Sequence, residues 1–170
     1  DTLIAAVQIL VEKKQDVTLI IVGSPTASDK KYFETVKAKV VAQNLSDVVL
    51  FRERVPNRET PTIYADHDLF INLTTTGSFD KSTLEAMSSE LPVLVCNKAF
   101  LRIFPEKYKE MFMFKEKDPA DLAAKIAAFA ERAPKSRRDV GKDLREIVVE
   151  RHNLYKLIPT LTRMFESLTL

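Results

Sequence analysis

Residues Thr74 to Asn97 read TTTGSFDKSTLEAMSSELPVLVCN, a polar loop containing a glycine, then a helical pattern, then an apolar strand. The apolar run Leu69 to Leu73 leads into this loop, and the chain turns at Gly77 and Ser78. A helix is expected to begin near Asp80 to Ser82 and to run through Leu84, Ala86 and Met87, with a second strand at Pro92 to Cys96. In open parallel sheets, ligands bind beyond the carboxyl ends of the strands, which is where this loop falls. The first turn of such a helix presents N–H groups without intrahelical partners and a partial positive charge. Gly77, Ser78, Phe79, Asp80, Lys81, Ser82 and Thr83 therefore form a candidate seat for a diphosphate.

Upstream, Val17 to Val22 is an unbroken apolar and β-branched run ending at Gly23-Ser24-Pro25, the pattern of a strand buried on both faces. Ser28 to Asn44 has helical spacing, Val48 to Phe51 is a further strand, and Thr60-Pro61 opens a short helix through Ile63, Tyr64 and Ala65. Downstream, Phe100 to Tyr108 predicts a short helix and Met111 to Phe114 a brief strand. Asp118-Pro119 starts a helix with Leu122, Ile126, Ala127 and Phe129 on one face, and everything after it reads as helical. The fold class expected is α/β: a doubly wound, Rossmann-like parallel sheet with extra carboxyl-terminal helices, forming one domain over residues 1–170. Asp1 starts directly in a helical pattern (Leu3, Ile4, Val7, Leu10, Val11), which reads as a fragment of a longer two-domain protein, without its amino-terminal domain and the first strand of this one.

A chain of 170 residues is long enough to bury roughly 70% of its unfolded surface in a single core. No apolar run approaches the ~18 residues of a membrane span. The net charge of +2 mixes both signs, so no field of one sign points to nucleic acid or a membrane surface. Even the densest basic stretch, Lys135 to Arg151, is interleaved with Asp139, Asp143, Glu146 and Glu150 and reads as a solvated helix face. The lone Cys96 excludes an internal disulfide and suits a reducing cytoplasm.

Three loops are expected on one rim: Gly23-Ser24, Arg52 to Val55 and Thr74 to Thr83. A nucleotide needs a close backbone approach for its phosphates and a carboxylate for its ribose hydroxyls. Glu85 could supply the carboxylate, because helical side chains lean back toward the amino terminus. Ser82-Thr83-Leu84-Glu85 also matches the S-x-x-E capping box, in which the glutamate satisfies the helix start instead. Lys81 reads either as a phosphate contact or as a solvated side chain, and Asp80 either as a cap or as an acid–base group. His67 and His152 have no companions at a nucleophile or metal-ligand spacing, and no metal site is expected.

These residues resemble the carboxyl-terminal domain of GT-B glycosyltransferases, in particular the retaining glycosyltransferase family 4. The resemblance rests on LIIVGS, on VVLFRERVP ahead of Tyr64-Ala65-Asp66, on LFINLT and above all on LEAMSSELPVLV. The family typically shows E-x7-E followed by Ala-Met and then Pro-Val in the next strand, which Glu85, Ala86, Met87, Pro92 and Val93 fit. The resemblance implies a nucleotide-sugar donor (UDP-, GDP- or ADP-sugar), with Glu85 on the ribose, the Lys81 to Thr83 amides on the diphosphate, and Gly23, Ser24, Arg54 and Val55 toward the base. It implies no required cofactor or metal. It also implies an amino-terminal domain holding the acceptor, a glycan, lipid or small molecule; a cytoplasmic location is expected, with contact to a membrane left open to that half. The first motif glutamate falls at Gly77, which has no side chain to hold the sugar. A non-catalytic nucleotide-binding or interaction domain, or half of a sugar-nucleotide epimerase, are the alternatives.

Overall fold

The computed structural model describes residues 1–75 and 80–168. The described elements follow the order α1 (Thr2–Glu12), β1 (Leu19–Val22), α2 (Lys30–Ala42), β2 (Val49–Arg52), α3 (Thr60–Ala65), β3 (Phe70–Asn72), α4 (Lys81–Ser88), β4 (Val93–Val95), α5 (Glu106–Phe112), α6 (Pro119–Ala130), α7 (Pro134–Arg151) and α8 (Leu154–Leu168). Both ladders are parallel, as the alternation of strands and helices requires. Leu19 to Val22 pairs with Val49 to Arg52, and Phe70 to Asn72 pairs with Val93 to Val95.

Two expectations need correction. Among the described residues the strands form two separate two-stranded ladders, β1 with β2 and β3 with β4, instead of one continuous sheet. As a result β1, expected to be buried on both faces, is only half buried and Val22 is 37% exposed, whereas Val93, Leu94 and Val95 of β4 are fully enclosed. The second correction concerns Met111 to Phe114, where α5 continues through Phe112 and Met113 alone forms a parallel bridge to Val95. Tyr108 and Phe112 stack four residues apart with ring centroids 5.4 Å from each other, so the helical spacing wins over the strand pattern. Similarly, Phe100 to Tyr108 splits into a 3₁₀ turn (Lys98–Arg102) and the start of α5, because Pro105 interrupts a continuous helix.

The single core expected is two clusters bridged by α1. Ala6 and Leu10 join the larger one, with Met87, Leu94, Phe100 and Phe112. Ile4 and Val7 join the smaller, with Val40, Leu45 and Val49. An α-helix can serve both because its apolar positions span a face wide enough to meet two neighbours. Cys96 is buried at the end of β4.

α7 buries Val140, Leu144, Ile147 and Val148 and turns its charges to solvent, as its mixed composition predicted. α1, α2 and α4 are each followed closely by a left-handed residue that is not glycine: Lys14, Asn44 and Glu90, with φ of 58°, 55° and 61°. α8 leaves its apolar residues exposed, including Tyr155 at 91%. Among the described residues no helix is long and apolar enough to cross a membrane.

Gly141 sets how closely α7 approaches the turn after α4. A Cβ there would lie 2.0 Å from the Glu90 carbonyl oxygen, a backbone atom with no rotamer to escape into. Replacing glycine by alanine in a helix normally gains about 1 kcal/mol of propensity, but here overpacking of about 1–3 kcal/mol or more should win. Gly141→Ala is therefore expected to lower the midpoint of urea unfolding, and an unchanged midpoint would show that the contact is softer than its geometry.

Candidate functional site

The end of β3 and the start of α4 are joined by a polar network. Asn72, 6% exposed, donates from Nδ2 to Thr83 Oγ1 at 2.7 Å and accepts the Thr74 N–H on Oδ1 at 2.6 Å. Buried polar groups need such partners, since an unpaired one costs about 1–3 kcal/mol. Thr83 is fully buried, and its own N–H donates to Asp80 Oδ1 at 3.2 Å. The Ser82 hydroxyl also donates to Asp80 Oδ1, and Thr74 Oγ1 donates to Asp80 Oδ2 at 3.3 Å.

Asp80 is thus the cap of α4, with extended backbone ahead of the first helical residue. Of its two sequence readings, the cap is the one seen. Partial burial pushes its carboxyl up, but hydrogen bonds from Ser82, Thr83 and Asn72 outweigh that and hold it below the ordinary aspartate value. The group is ionised at neutral pH and occupies part of the positive end of the helix.

The capping-box reading of Ser82 and Glu85 is corrected by the same geometry, because with Asp80 as cap Glu85 falls in the second turn. Its Oε2 instead accepts from Tyr64 Oη at 3.4 Å, and its Oε1 lies 3.5 Å from Lys81 Nζ. A carboxylate has roughly four acceptor positions, so both contacts leave capacity for further donors. Tyr64 comes from α3 and is held by an edge-on contact with Phe70, at 84° and 5.9 Å between centroids. Burial first, then the charge and hydrogen bond of Glu85 and the charge of Asp80, push its phenol up to about 12. It therefore stays a donor throughout the neutral range.

On the other ladder, Gly23 follows β1 with φ of 144°, a conformation that side chains rarely adopt, and its N–H donates to Arg52 O at 3.1 Å. Ser24 and Arg54 are exposed beside it. Among the described residues no hydrogen bond joins Gly23, Ser24 or Arg54 to the start of α4. Val55, Tyr64 and Ser82 do share one feature: they line the same cleft of about 790 Å³. Gly77, Ser78 and Phe79 lie outside the described residues. His67 turns Nδ1 to the Ile63 carbonyl at 2.5 Å. Among the described residues no group of His, Cys, Asp and Glu could hold a metal ion.

Sequence reading assigned no role to Tyr64 or Asn72, although both organise the site. The signal for Asn72 was a polar residue inside an otherwise apolar strand, LFINL. Tyr64 had no local signal, because its partner Glu85 lies 21 residues away.

A parallel α/β domain with a loop-to-helix site at the strand ends is the architecture of GT-B carboxyl-terminal domains, and solved structures share it. The crystal structure of HepE from Anabaena in complex with UDP superposes with a TM-score of 0.85 at 19% identity, covering 98% of this chain and 44% of that one. The carboxyl-terminal domain of LpcC, a glycosyl transferase group 1 family protein from Francisella tularensis, gives 0.77 at 20% identity, covering 90% and 78%. The catalytic domain of cholesterol-α-glucosyltransferase from Helicobacter pylori gives 0.69 at 24% identity, covering 88% and 87%. At these identities the likeness is one of fold. The sequence model of the family described as glycosyl transferases group 1 matches residues 1–146, and the chain belongs to that family. No curated protein sequence matches it. The chain spans 44% of the length of the HepE structure.

Removing the Asp80 carboxylate should cost about 1 kcal/mol, the usual worth of a helix cap. A folded pKa below the unfolded one stabilises above the unfolded value and ceases to do so as pH falls through the folded value. The stability gap between the protein and Asp80→Ala, read from urea unfolding, should therefore be full at pH 7 and shrink below about pH 4. A gap constant from pH 7 to pH 3 would mean that the carboxylate is not the stabilising group.

Proposed function

We propose that this chain is the donor-binding domain of a retaining, family 4 type glycosyltransferase that takes a nucleoside-diphosphate sugar. The observation that carries the reading is Glu85, which is spared from capping α4 and fixed at the rim by Tyr64 on one oxygen and Lys81 on the other. A pre-oriented carboxylate with acceptor positions to spare is the partner a ribose diol needs. In support, relatives of this fold were crystallised with UDP and with UDP-glucose.

In the mechanism that follows, the diphosphate lies ahead of α4 near Lys81, which is 82% exposed and pairs with Glu85 one turn along the helix. Its charge and the helix dipole offset the negative charge that develops on the departing phosphate. The Asp80 carboxylate opposes part of that field, so in this reading Asp80 positions the loop and leaves the phosphate to Lys81 and the amides it does not use. Anomeric configuration is retained through an oxocarbenium-like transition state. The acceptor comes from an amino-terminal domain, without which the domain binds the donor but does not turn it over. No metal is called for.

A second reading, a non-catalytic nucleotide-binding domain, draws on Gly77, which stands where the family's first motif glutamate would hold the sugar.

Titration with uridine, guanosine and adenosine diphosphates should raise the melting temperature by mass action with one of the bases preferred. Glu85→Ala should weaken that ligand roughly 10- to 100-fold, the value of charge-assisted hydrogen bonds of about 1.5–3 kcal/mol. Tyr64→Phe should weaken it by a smaller factor without lowering the melting temperature of the free protein to the same degree. No shift with any of the three at millimolar concentration would remove the donor-binding assignment.

A further inference from the structure

Lys81 is the first helical residue of α4, and a lysine is poorly placed there. The positive end of the dipole opposes a cation at a helix start, and in an i,i+4 ion pair the favoured order puts the acidic residue first. Here the order is reversed, with Lys81 Nζ 3.5 Å from Glu85 Oε1. Helical side chains also lean toward the amino terminus, whereas Lys81 reaches one turn the other way. With 82% of its side chain exposed, the pair is screened by water and amounts to about a factor of 2 in equilibrium terms. Little holds the ammonium on Glu85.

Glu85 does not depend on that contact for its direction. Its other oxygen, Oε2, accepts from Tyr64 Oη at 3.4 Å, and that phenol stays protonated because burial and then the neighbouring Glu85 push it up to about 12. Withdrawing Lys81 therefore opens Oε1 while the carboxylate stays aimed.

At the start of α4, meanwhile, the chain already occupies much of what an anion would use. The Thr83 N–H donates to Asp80 Oδ1 at 3.2 Å, and the Ser82 hydroxyl and main chain bond to the same carboxylate. The positive end of a helix amounts to about half a charge, so an ionised carboxylate set into it leaves little attraction for a second anion. Lys81 adjoins that carboxylate in sequence. Turned back in the direction helical side chains prefer, its ammonium lies ahead of the helix and supplies the missing charge. Lys81 thus has two exclusive positions, one against the carboxylate meant for a ribose and one against a phosphate.

We propose that Lys81 is a specificity-determining residue that changes partners: it rests on Glu85 in the empty domain, and a diphosphate ahead of α4 draws it away, so that the phosphate of the ligand releases Oε1 to its ribose. This rests on the donor-binding reading and adds that the two halves of the site are coupled through one side chain.

NMR titration of the 170-residue chain and of its Lys81→Met variant with uridine, guanosine and adenosine, and with their three diphosphates, tests the coupling. For the base preferred, Lys81→Met should weaken the diphosphate about 10-fold or more, as loss of a charge-assisted contact does. The same variant should tighten the nucleoside about 2-fold, because Glu85 is then unguarded. Lys81→Arg should bring back the preference for the diphosphate. A nucleoside left unchanged or weakened by Lys81→Met overturns the proposal, as does one that binds neither protein. So does a diphosphate that binds the variant undiminished, or a Lys81→Arg variant that behaves like Lys81→Met. If the unaltered chain binds none of the six compounds, the donor-binding reading itself falls and the coupling with it, an outcome distinct from binding that persists without the opposite responses.

Discussion

The site depends on one buried hydrogen bond, from Asn72 Nδ2 to Thr83 Oγ1 at 2.7 Å. It joins the last residue of β3 to the first turn of α4 where water does not reach, so neither side chain can leave without stranding the other. Everything polar above it is referenced to that junction. Asp80 caps the helix whose third residue is Thr83, and Thr74 is oriented from both sides, by Asn72 and by Asp80. Glu85 projects from the next turn of the same helix toward Tyr64. Because β4 is completely enclosed beside β3, the junction rests on a fully buried, close-packed strand.

Much of this was legible in the sequence because hydrophobic periodicity reports burial directly. The runs Val17 to Val22, Val48 to Phe51 and Val93 to Val95 read as strands of a parallel sheet and contain β1, β2 and β4, and Asp118-Pro119 reads as a helix start, where Asp118 accepts from Asp121 N–H at 2.9 Å. Met111 to Phe114 was read wrongly because a short apolar run fits either period, and the stacking partner that decides it, Tyr108, lies outside the run. The break between the ladders left no mark at all. A strand with an open edge has the same apolar composition as one beside a neighbour, and only coordinates distinguish them.

Within the site, residue types were legible and roles were not. Asp80 and Ser82 are both good caps two positions apart, and local sequence could not choose between them. The choice turns on Thr83 being drawn down to Asn72, which presents its N–H to Asp80. Once Asp80 takes that role, Glu85 is released from the helix start. A ribose contact and a helix cap look alike in sequence because both need a carboxylate near the first turn, and tertiary contacts from a distant element separate them.

The left-handed residues at the helix ends bear on how this domain can adapt. Lys14 and Asn44 hold a backbone conformation that glycine adopts almost without cost, that costs a lysine about 1–2 kcal/mol and an asparagine less. Neither side chain belongs to the core clusters or to the rim. The domain therefore carries a reserve for thermal adaptation: a lineage moving to warmer surroundings could gain heat resistance at these two positions while its chemistry stayed as it was.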